Sequence, residues 1–298
     1  MKSLITAGTA ALALSCSAPA LDIAQYIDVL TIRAKQSYGM ELDNSPAEFD
    51  FTEISLLAFI TDPIELGNDW SAIAYLDFRA SNMSFDGNPL IGTFADDLET
   101  DLFRVGLPFI VYHAEESSPW TYGAWVSPAI SSDFDHIDSD DIFVDAAIAV
   151  AYQFNDCLAI GAGIYAADIG RDAEFFPGVG FAWTPTDDWL VTFYGPRFIA
   201  RREFNERHRL GVEVSTNGGT WNIDADNNSL KLNLRSWRAG LYYRYNFTGN
   251  LWLEASAGFT FANKLDLDTR GGTELFQNSL GEADSAPFAA LAFTVNRW

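Results

Sequence analysis

Hydrophobic and polar positions alternate with a period of two along residues 237–261, WRAGLYYRYNFTGNLWLEASAGFTF. A helix cannot keep such a pattern on one face, so the pattern predicts β-strands. The alternation pauses at residues 248–250, which include a glycine, and then resumes in phase. This indicates two antiparallel strands joined by a short turn. Pairing the residues that flank the turn places Arg244 opposite Glu254.

One face of this predicted hairpin is aromatic and aliphatic, whereas the other carries Arg244, Glu254 and small residues. An apolar face rimmed by aromatic rings and backed by a polar face is typical of strands that contact lipid outside and a polar lumen inside. The sequence therefore predicts an all-β protein, an antiparallel transmembrane β-barrel. The aromatic residues expected in its interfacial girdle are Trp237, Tyr243, Tyr245 and Phe247.

A second hairpin with the same alternation is predicted over residues 142–166. The expected register sets Ala149 opposite Gly163 and Ala151 opposite Gly161 on the face that would line the lumen. Because these side chains are small, this part of the lumen wall is expected to leave room inside the barrel.

The strand count depends on how the chain passes Gly218 and Gly219. The apolar face formed by residues 212–216 gives way after the glycines to one that includes Trp221, so the alternation inverts. A two-residue turn at the glycines explains the inversion and leads to fourteen strands with both termini in the periplasm. A bulge in one long strand also explains it and leads to twelve. The sequence favours fourteen, with a periplasmic turn at Gly218.

Residues 1–20 have the features of a secretory signal peptide: Lys2, a short apolar run and the small-residue pattern Ala18-Pro19-Ala20. The apolar run is shorter than the roughly 20 residues that a membrane-spanning helix needs. We therefore expect residues 21–298 to form one barrel domain in the outer membrane of a Gram-negative-type envelope. Cleavage would leave Cys157 as the only cysteine, so no intrachain disulfide is expected.

The charge of the chain limits its partners. With 41 acidic residues against 18 Lys and Arg in 298 residues, the formal net charge is -23, which argues against nucleic acid. The expected partners are outer-membrane lipid and small solutes. The last strand ends on Trp298, which is similar to the C-terminal signal read by the barrel assembly machinery during biogenesis.

Candidate catalytic chemistry is sparse, because the chain has only 3 histidines. A membrane hydrolase needs a serine beside a histidine that a third group orients, and His136-Ile137-Asp138-Ser139 is the nearest approach. It lies in a predicted acidic loop, residues 132–141, so a solvated loop is the favoured interpretation and Ca²⁺ binding there is the alternative. We expect neither an enzyme nor a resident cofactor or metal.

Basic residues concentrate between residues 197 and 244 of an otherwise acidic chain. They could line the lumen as an anion-attracting stripe, or they could pair with inward carboxylates and hold the barrel closed. The second interpretation is favoured. Besides the pair of Arg244 and Glu254, the candidate lumen-lining residues are Arg197, Arg209, Glu213, Arg235 and Arg238.

The C-terminal half of the chain resembles an uncharacterised, porin-like family of bacterial outer-membrane β-barrel proteins. The positions that carry the resemblance are Pro177, Gly180, Trp183, Pro185, Trp189, Pro196, Arg197, Gly218, Gly219, Trp221, Arg238 and Gly240. The resemblance implies a barrel in a membrane and transfers no catalytic residue. The function expected from the sequence is a modest passive diffusion channel or solute pathway. The alternatives are a closed structural or anchoring barrel and, less favoured, an outer-membrane hydrolase; a soluble β-sandwich is the alternative fold.

Overall fold

The computed structural model describes residues 28–43, 47–86, 100–115, 117–169, 173–225, 228–269 and 281–296. The first nine strands are β1 Leu30–Glu41, β2 Glu48–Phe59, β3 Ile64–Gly67, β4 Trp70–Asp86, β5 Asp101–Gly106, β6 Phe109–Ala114, β7 Trp120–Ser132, β8 Ile142–Asn155 and β9 Leu158–Ala167. The others are β10 Glu174–Trp183, β11 Trp189–Tyr194, β12 Arg197–Asn205, β13 His208–Ala225, β14 Asn228–Thr248, β15 Leu251–Thr269, β16 Gly281–Ala283 and β17 Pro287–Val295. A 3-10 turn, Ser139–Asp141, precedes β8. The predicted signal peptide and Trp298 lie outside the described residues.

The strands form one antiparallel sheet that closes on itself, because β1 pairs with both β2 and β17. In three cases, two successive segments pair one after the other with the same neighbouring strand and so count as one interrupted strand. These are β2 with β3, β5 with β6, and β16 with β17. Taking three from the 17 segments gives fourteen strands. The predicted fourteen-stranded transmembrane barrel is confirmed, and closure excludes the sandwich.

The predicted turn at Gly218 and Gly219 is wrong. Strand β13 runs through both glycines and pairs with β14 along its whole length without a register shift. The bulge that would have given twelve strands is therefore also wrong. The strand count of fourteen depends instead on tight turns at residues 195–196 and 206–207, which divide β11, β12 and β13.

At the level of the glycines the polarity of the two faces reverses. The alternation itself continues, so the same set of alternate residues still faces the interior. Along β14 the even-numbered side chains face the interior, first Arg244 and Arg238 and then, beyond Ser236, Leu234 and Leu232. The opposite face is apolar up to Trp237 and polar beyond it. The lower part thus has a polar interior and a lipid-facing exterior, whereas the upper part has the apolar interior of a protein in water.

The upper part of the barrel is narrower than the lower part. Strand β13 leaves the line of β12 and meets the end of β7, where Asn222 pairs with Ser132 and the Ser131 hydroxyl donates to the Thr220 carbonyl at 2.6 Å. The ring at this level contains β13, β14, β15, β16, β1, β2, β4, β5 and β7. An apolar cluster that includes Phe51, Trp221 and Leu232 fills it. Strands β8–β12 are not members of this ring.

No helix within the described residues is long and apolar enough to cross a bilayer.

Candidate functional site in the barrel lumen

One charge network in the lumen is centred on Glu254. Arg244, opposite it on β14, donates from Nε to Oε2 at 2.7 Å, and Arg33 on β1 donates to Oε1 at 3.0 Å. Arg244 also reaches Asp28 at 3.1 Å. Arg33 can contact a strand two places away because the residue between them, on β17, is the small Ala292. The charged groups therefore neutralise one another along the wall.

A second network joins β12, β13 and β14 around Glu213. The carboxylate lies 3.3 Å from Arg197 Nε and 3.2 Å from Arg238 Nη2. Nearby, Arg209 lies 2.9 Å from Glu203 and places its guanidinium 3.9 Å from the centre of the Trp252 ring. All of these side chains belong to the inward face, so Arg197, Arg209, Glu213 and Arg238 lie in the lumen wall.

The structure does not place Arg235 in the lumen. Its side chain is 60% exposed on the outer face of the upper part, where it pairs with Asp266 at 2.5 Å. The neighbours Leu234 and Ser236 occupy the interior instead. Since Arg235 lies beyond the reversal of polarity, its outward position faces water and can hold a charge.

One half of the lumen is closely packed. Here the inward residues of β1, β2, β4 and β13–β17 include the buried pair of Lys35 and Glu53 at 3.0 Å, together with the Glu254 network. At the end nearest the short turns, an apolar cluster joins Ile73 and Tyr75 of β4 to Tyr112 of the neighbouring β6. We call this side the packed half; it leaves little room for solutes.

The other side, formed by β7–β12, has a wall of small inward residues, which we call the bay. Its members are Gly123, Ala149, Ala151, Gly161, Gly163, Gly178 and Gly180. The predicted pairings of Ala149 with Gly163 and of Ala151 with Gly161 are present. Ala149 and Gly178 are exposed although they face inward, and no atom lies within 4 Å of a Cβ placed on Gly178. The bay is thus a stretch of lumen wall with little side-chain bulk.

A row of aromatic rings crosses the upper edge of the bay. Trp125 on β7 stacks with Tyr165 on β9, with ring centres 6.1 Å apart, and Tyr165 contacts Phe176 on β10 at 6.1 Å. The residue between Trp125 and Tyr165, on β8, is Ala147, and its small side chain lets the two rings meet. The sequence does not indicate this row, because its members are far apart in the chain and each strand contributes only one of them.

Aromatic residues ring the outer surface near the short turns. Tyr243 is 42% and Phe247 53% exposed on the outward face, and Tyr245 shares that face. At the same end of other strands the outward positions are occupied by Trp70, Trp120, Phe154, Trp183, Trp189 and Phe204. Trp237 precedes Phe247 by ten residues in β14, so it lies farther from the short turns, at the level where the outer face becomes polar. These positions agree with two interfacial belts.

The acidic loop between β7 and β8 fixes the junction with β13. The Asp138 carboxylate caps the 3-10 turn by accepting from the Asp140 backbone N–H at 2.7 Å. The Asn222 amide donates to the Asp141 carboxylate at 3.1 Å and to the Asp140 carbonyl. Within the described part of the chain, no group of three His, Cys, Asp or Glu side chains could hold a metal ion. The loop thus has a structural explanation that requires neither His136 nor a cation.

Comparison with known proteins identifies the family of the chain. The model of the family described as "Domain of unknown function (DUF6268)" matches residues 97–296, and the chain belongs to that family. No curated protein matches the chain. Membership confirms the resemblance to an uncharacterised family, and it assigns no activity.

The chain is also similar, at very low sequence identity, to solved outer-membrane proteins. The P. putida toluene transporter TodX is 10% identical, with a TM-score of 0.44, and the similarity covers 90% of this chain and 89% of that one. The translocator domain of the autotransporter NalP from Neisseria meningitidis is 10% identical with a TM-score of 0.30, covering 97% and 92%. A mutant of Rh. blastica porin is 10% identical with a TM-score of 0.27, covering 90% and 100%.

Proposed function

We propose that this protein is an outer-membrane channel that provides a narrow, passive pathway for small solutes along the bay. The observation that carries the proposal is the contrast between the two halves of the lumen. Charged side chains in the packed half bind one another along the wall, and the small inward residues of the bay stay uncovered.

The direction of the ion pairs supports an open bay. Arg244 and Glu254 belong to adjacent strands, as do Arg197 and Glu213. The pair of Arg104 and Asp145, at 3.4 Å, joins strands two places apart in the sheet. An arginine that follows the wall occupies less of the cross-section than one that crosses to the far side. Ion pairs that follow the wall therefore hold neighbouring strands together without filling the bay.

The size of the barrel sets the width of the pathway. Barrels of about eight strands are filled by their own side chains, whereas those of about sixteen to eighteen leave an aqueous channel. Fourteen strands with one half packed leave a lumen between these limits. The pathway should therefore pass small molecules slowly.

The outer face supports insertion in an outer membrane. An apolar band lies between two aromatic belts, and polar positions follow beyond Trp237. Lipid would contact this band, the short turns would face the periplasm, and the barrel assembly machinery would insert the chain. On the bay side, the inward Arg197 and Arg201 of β12 have side chains 37% and 21% exposed, and each lies 3.3 Å from a carboxylate, Glu213 and Glu203 respectively. The charge that solutes meet there would therefore be largely balanced.

A blocking substitution in planar lipid bilayers tests the proposal. Wild-type protein should give a small, steady conductance, and Ala149→Trp should reduce it by half or more by filling the bay. Ala257→Trp is the matched control, because Ala257 is exposed on the lipid-facing side. Both variants should keep the gel mobility of a folded barrel without boiling. No wild-type conductance above that of the bare bilayer would contradict the proposal.

A closed structural barrel is the second candidate, and a specific observation favours it. The apolar core of the upper ring, with Phe51, Leu232 and Leu265 each exposed by less than 2%, blocks the direct vertical route through that level. If solutes had no other way out of the bay, the barrel would not conduct. The absence of conductance in the experiment above would support this candidate.

A further inference from the structure

The hairpin of β11 and β12 is too short to complete the barrel wall. Strand β11 has 6 residues and β12 has 9, whereas a transmembrane strand needs about 9 to 11. Strand β10 has 10 residues but pairs with β11 through residues 180–183 alone. Among the described residues, 174–179 therefore have a partner on one side only, which is β9. The last β13 residue that pairs with β12 is Val214.

These unpaired edges bound an opening in the wall, which we call the side window. It is bordered by residues 174–179 of β10, the turn at residues 195–196 and residues 215–219 of β13. Above it the chain closes again, since Lys231 on β14 lies 3.6 Å from the Asp168 carboxylate at the end of β9. The window thus opens through the side of the barrel, below the level of the upper ring.

The window lies at the depth of the lipid chains. Residues 174–179 are four to nine positions above Trp183, a member of the aromatic belt near the short turns. At about 3.3 Å per residue and a tilt of about 40°, they stand about 10 to 23 Å above that belt. The apolar band of such barrels is about 25 Å tall. Phe175 and Val179 are 69% and 66% exposed, as expected of side chains that face lipid.

The backbone of β10 suits an edge that opens on the lumen. Pro177 has no N–H, and proline inside a sheet is confined to edge strands, first positions and bulges. The unpaired backbone N–H and C=O groups of residues 174–179 need hydrogen-bond partners. Water can supply them, because non-helical backbone at membrane depth is tolerated where it lines a water-filled cavity. The bay lies directly behind this edge, because Gly178 is exposed toward it.

An apolar surface continues from the window into the bay. Phe176 faces inward from the β10 edge and is 47% exposed, and its ring starts the row that continues through Tyr165 to Trp125. At the lower border, Tyr194 is 50% exposed and accepts a hydrogen bond from Arg197 at 3.0 Å. A hydrocarbon entering from the membrane would therefore meet aromatic faces before it met charge.

From this geometry we infer that the side window admits apolar molecules, a hydrocarbon ring or chain, between the bilayer and the bay. The route bypasses the apolar core of the upper ring. Onward passage to the periplasmic side rests on the proposed function, whereas the contact between lipid and the inward face of β10 does not.

Photo-cross-linking in vesicles of palmitoyl-oleoyl-phosphatidylcholine tests the window. The residue p-benzoylphenylalanine would replace Phe176 at the window, Val179 as the lipid-facing reference, or Tyr242 as an inward aromatic of the packed half that is 5% exposed. Position 176 should give lipid adducts at about a third or more of the yield at position 179, and at least about tenfold more than position 242. Equal, low yields at positions 176 and 242 would overturn the inference.

Two additions make the outcome specific. Naphthalene added to the vesicles should lower the yield at position 176 more than at position 179 if free apolar solutes enter; an unchanged ratio would identify lipid chains as the occupant. Each variant is first shown to be folded by its mobility without boiling. Lipid adducts at position 176 together with an absence of conductance would retain the window and reject the channel. Conductance without such adducts would do the reverse.

Discussion

Leu234 and Arg235 are neighbours in β14 and face opposite environments. Leu234 is 2% exposed in the core of the upper ring, whereas the Arg235 side chain is 60% exposed and pairs with Asp266. Three residues farther along the strand, Arg238 is buried in the lumen. The polarity of the inner and outer faces therefore reverses within a few residues of β14, around Ser236.

This relationship predicts a labelling pattern on intact cells. In a Cys157→Ser background, Arg235→Cys should react with a membrane-impermeant maleimide, because it projects into water above the membrane. Leu234→Cys is the matched control and should be at least about tenfold less reactive. Equal labelling of both positions, or protection of Arg235→Cys, would mean that the polarity does not reverse there.

The core of the upper ring should contribute strongly to stability. Leu232→Ala removes a fully buried side chain and should cost about 2 to 5 kcal/mol. Leu241→Ala, at an outward position that is 61% exposed, should cost much less in detergent. The temperature at which the folded band is lost on unboiled gels measures the difference. A similar loss for both variants would contradict the assignment of faces.

The pair of Arg244 and Glu254 should behave as part of a larger network. Glu254→Arg removes the shared carboxylate and brings a third cation beside Arg33 and Arg244, so it should cost about 3 kcal/mol or more. Adding Arg244→Glu should restore only part of the stability, since Asp28 would then face a like charge. Arg235→Glu, at a side chain that is 60% exposed outside the lumen, is the control and should cost about 1 kcal/mol or less.

An insertion distinguishes a strand from a turn at the glycines. Gly218 has a φ of 100°, and a Cβ there would meet the Leu234 carbonyl oxygen at 2.1 Å, so the site is tightly built. An epitope inserted after Gly218 should abolish the folded band. The same epitope after Gly249, in the short turn between β14 and β15, should leave it intact. Tolerance at Gly218 would restore the predicted hairpin.

Local pattern was sufficient for the class of fold and for several contacts. The register of Arg244 with Glu254 followed from one turn, because side-chain alternation fixes which residues share a face once the turn is located. The same reasoning located the small residues at Ala149 and Gly163. A closed barrel could be predicted because many strands carry one apolar face and one polar face.

The features that could not be predicted depend on how distant strands are arranged in the barrel. Placing Trp221 on the lipid face assumed one polarity along the whole strand, and this failed where the barrel rises out of the membrane. The same assumption misplaced Arg235. The aromatic row and the side window depend on relative strand lengths and on β13 meeting β7, which no stretch of neighbouring residues encodes.

The most direct test of the bay as a conduction pathway is modification of a single cysteine during a conductance recording. In a Cys157→Ser background, Ala149→Cys would be treated with a positively charged methanethiosulfonate reagent, with Ala257→Cys as the lipid-facing control. If solutes pass along the bay, Ala149→Cys should lose most of its current in a step and Ala257→Cys should show no change. Unchanged current after complete modification of Ala149→Cys, verified by mass spectrometry, would contradict this pathway.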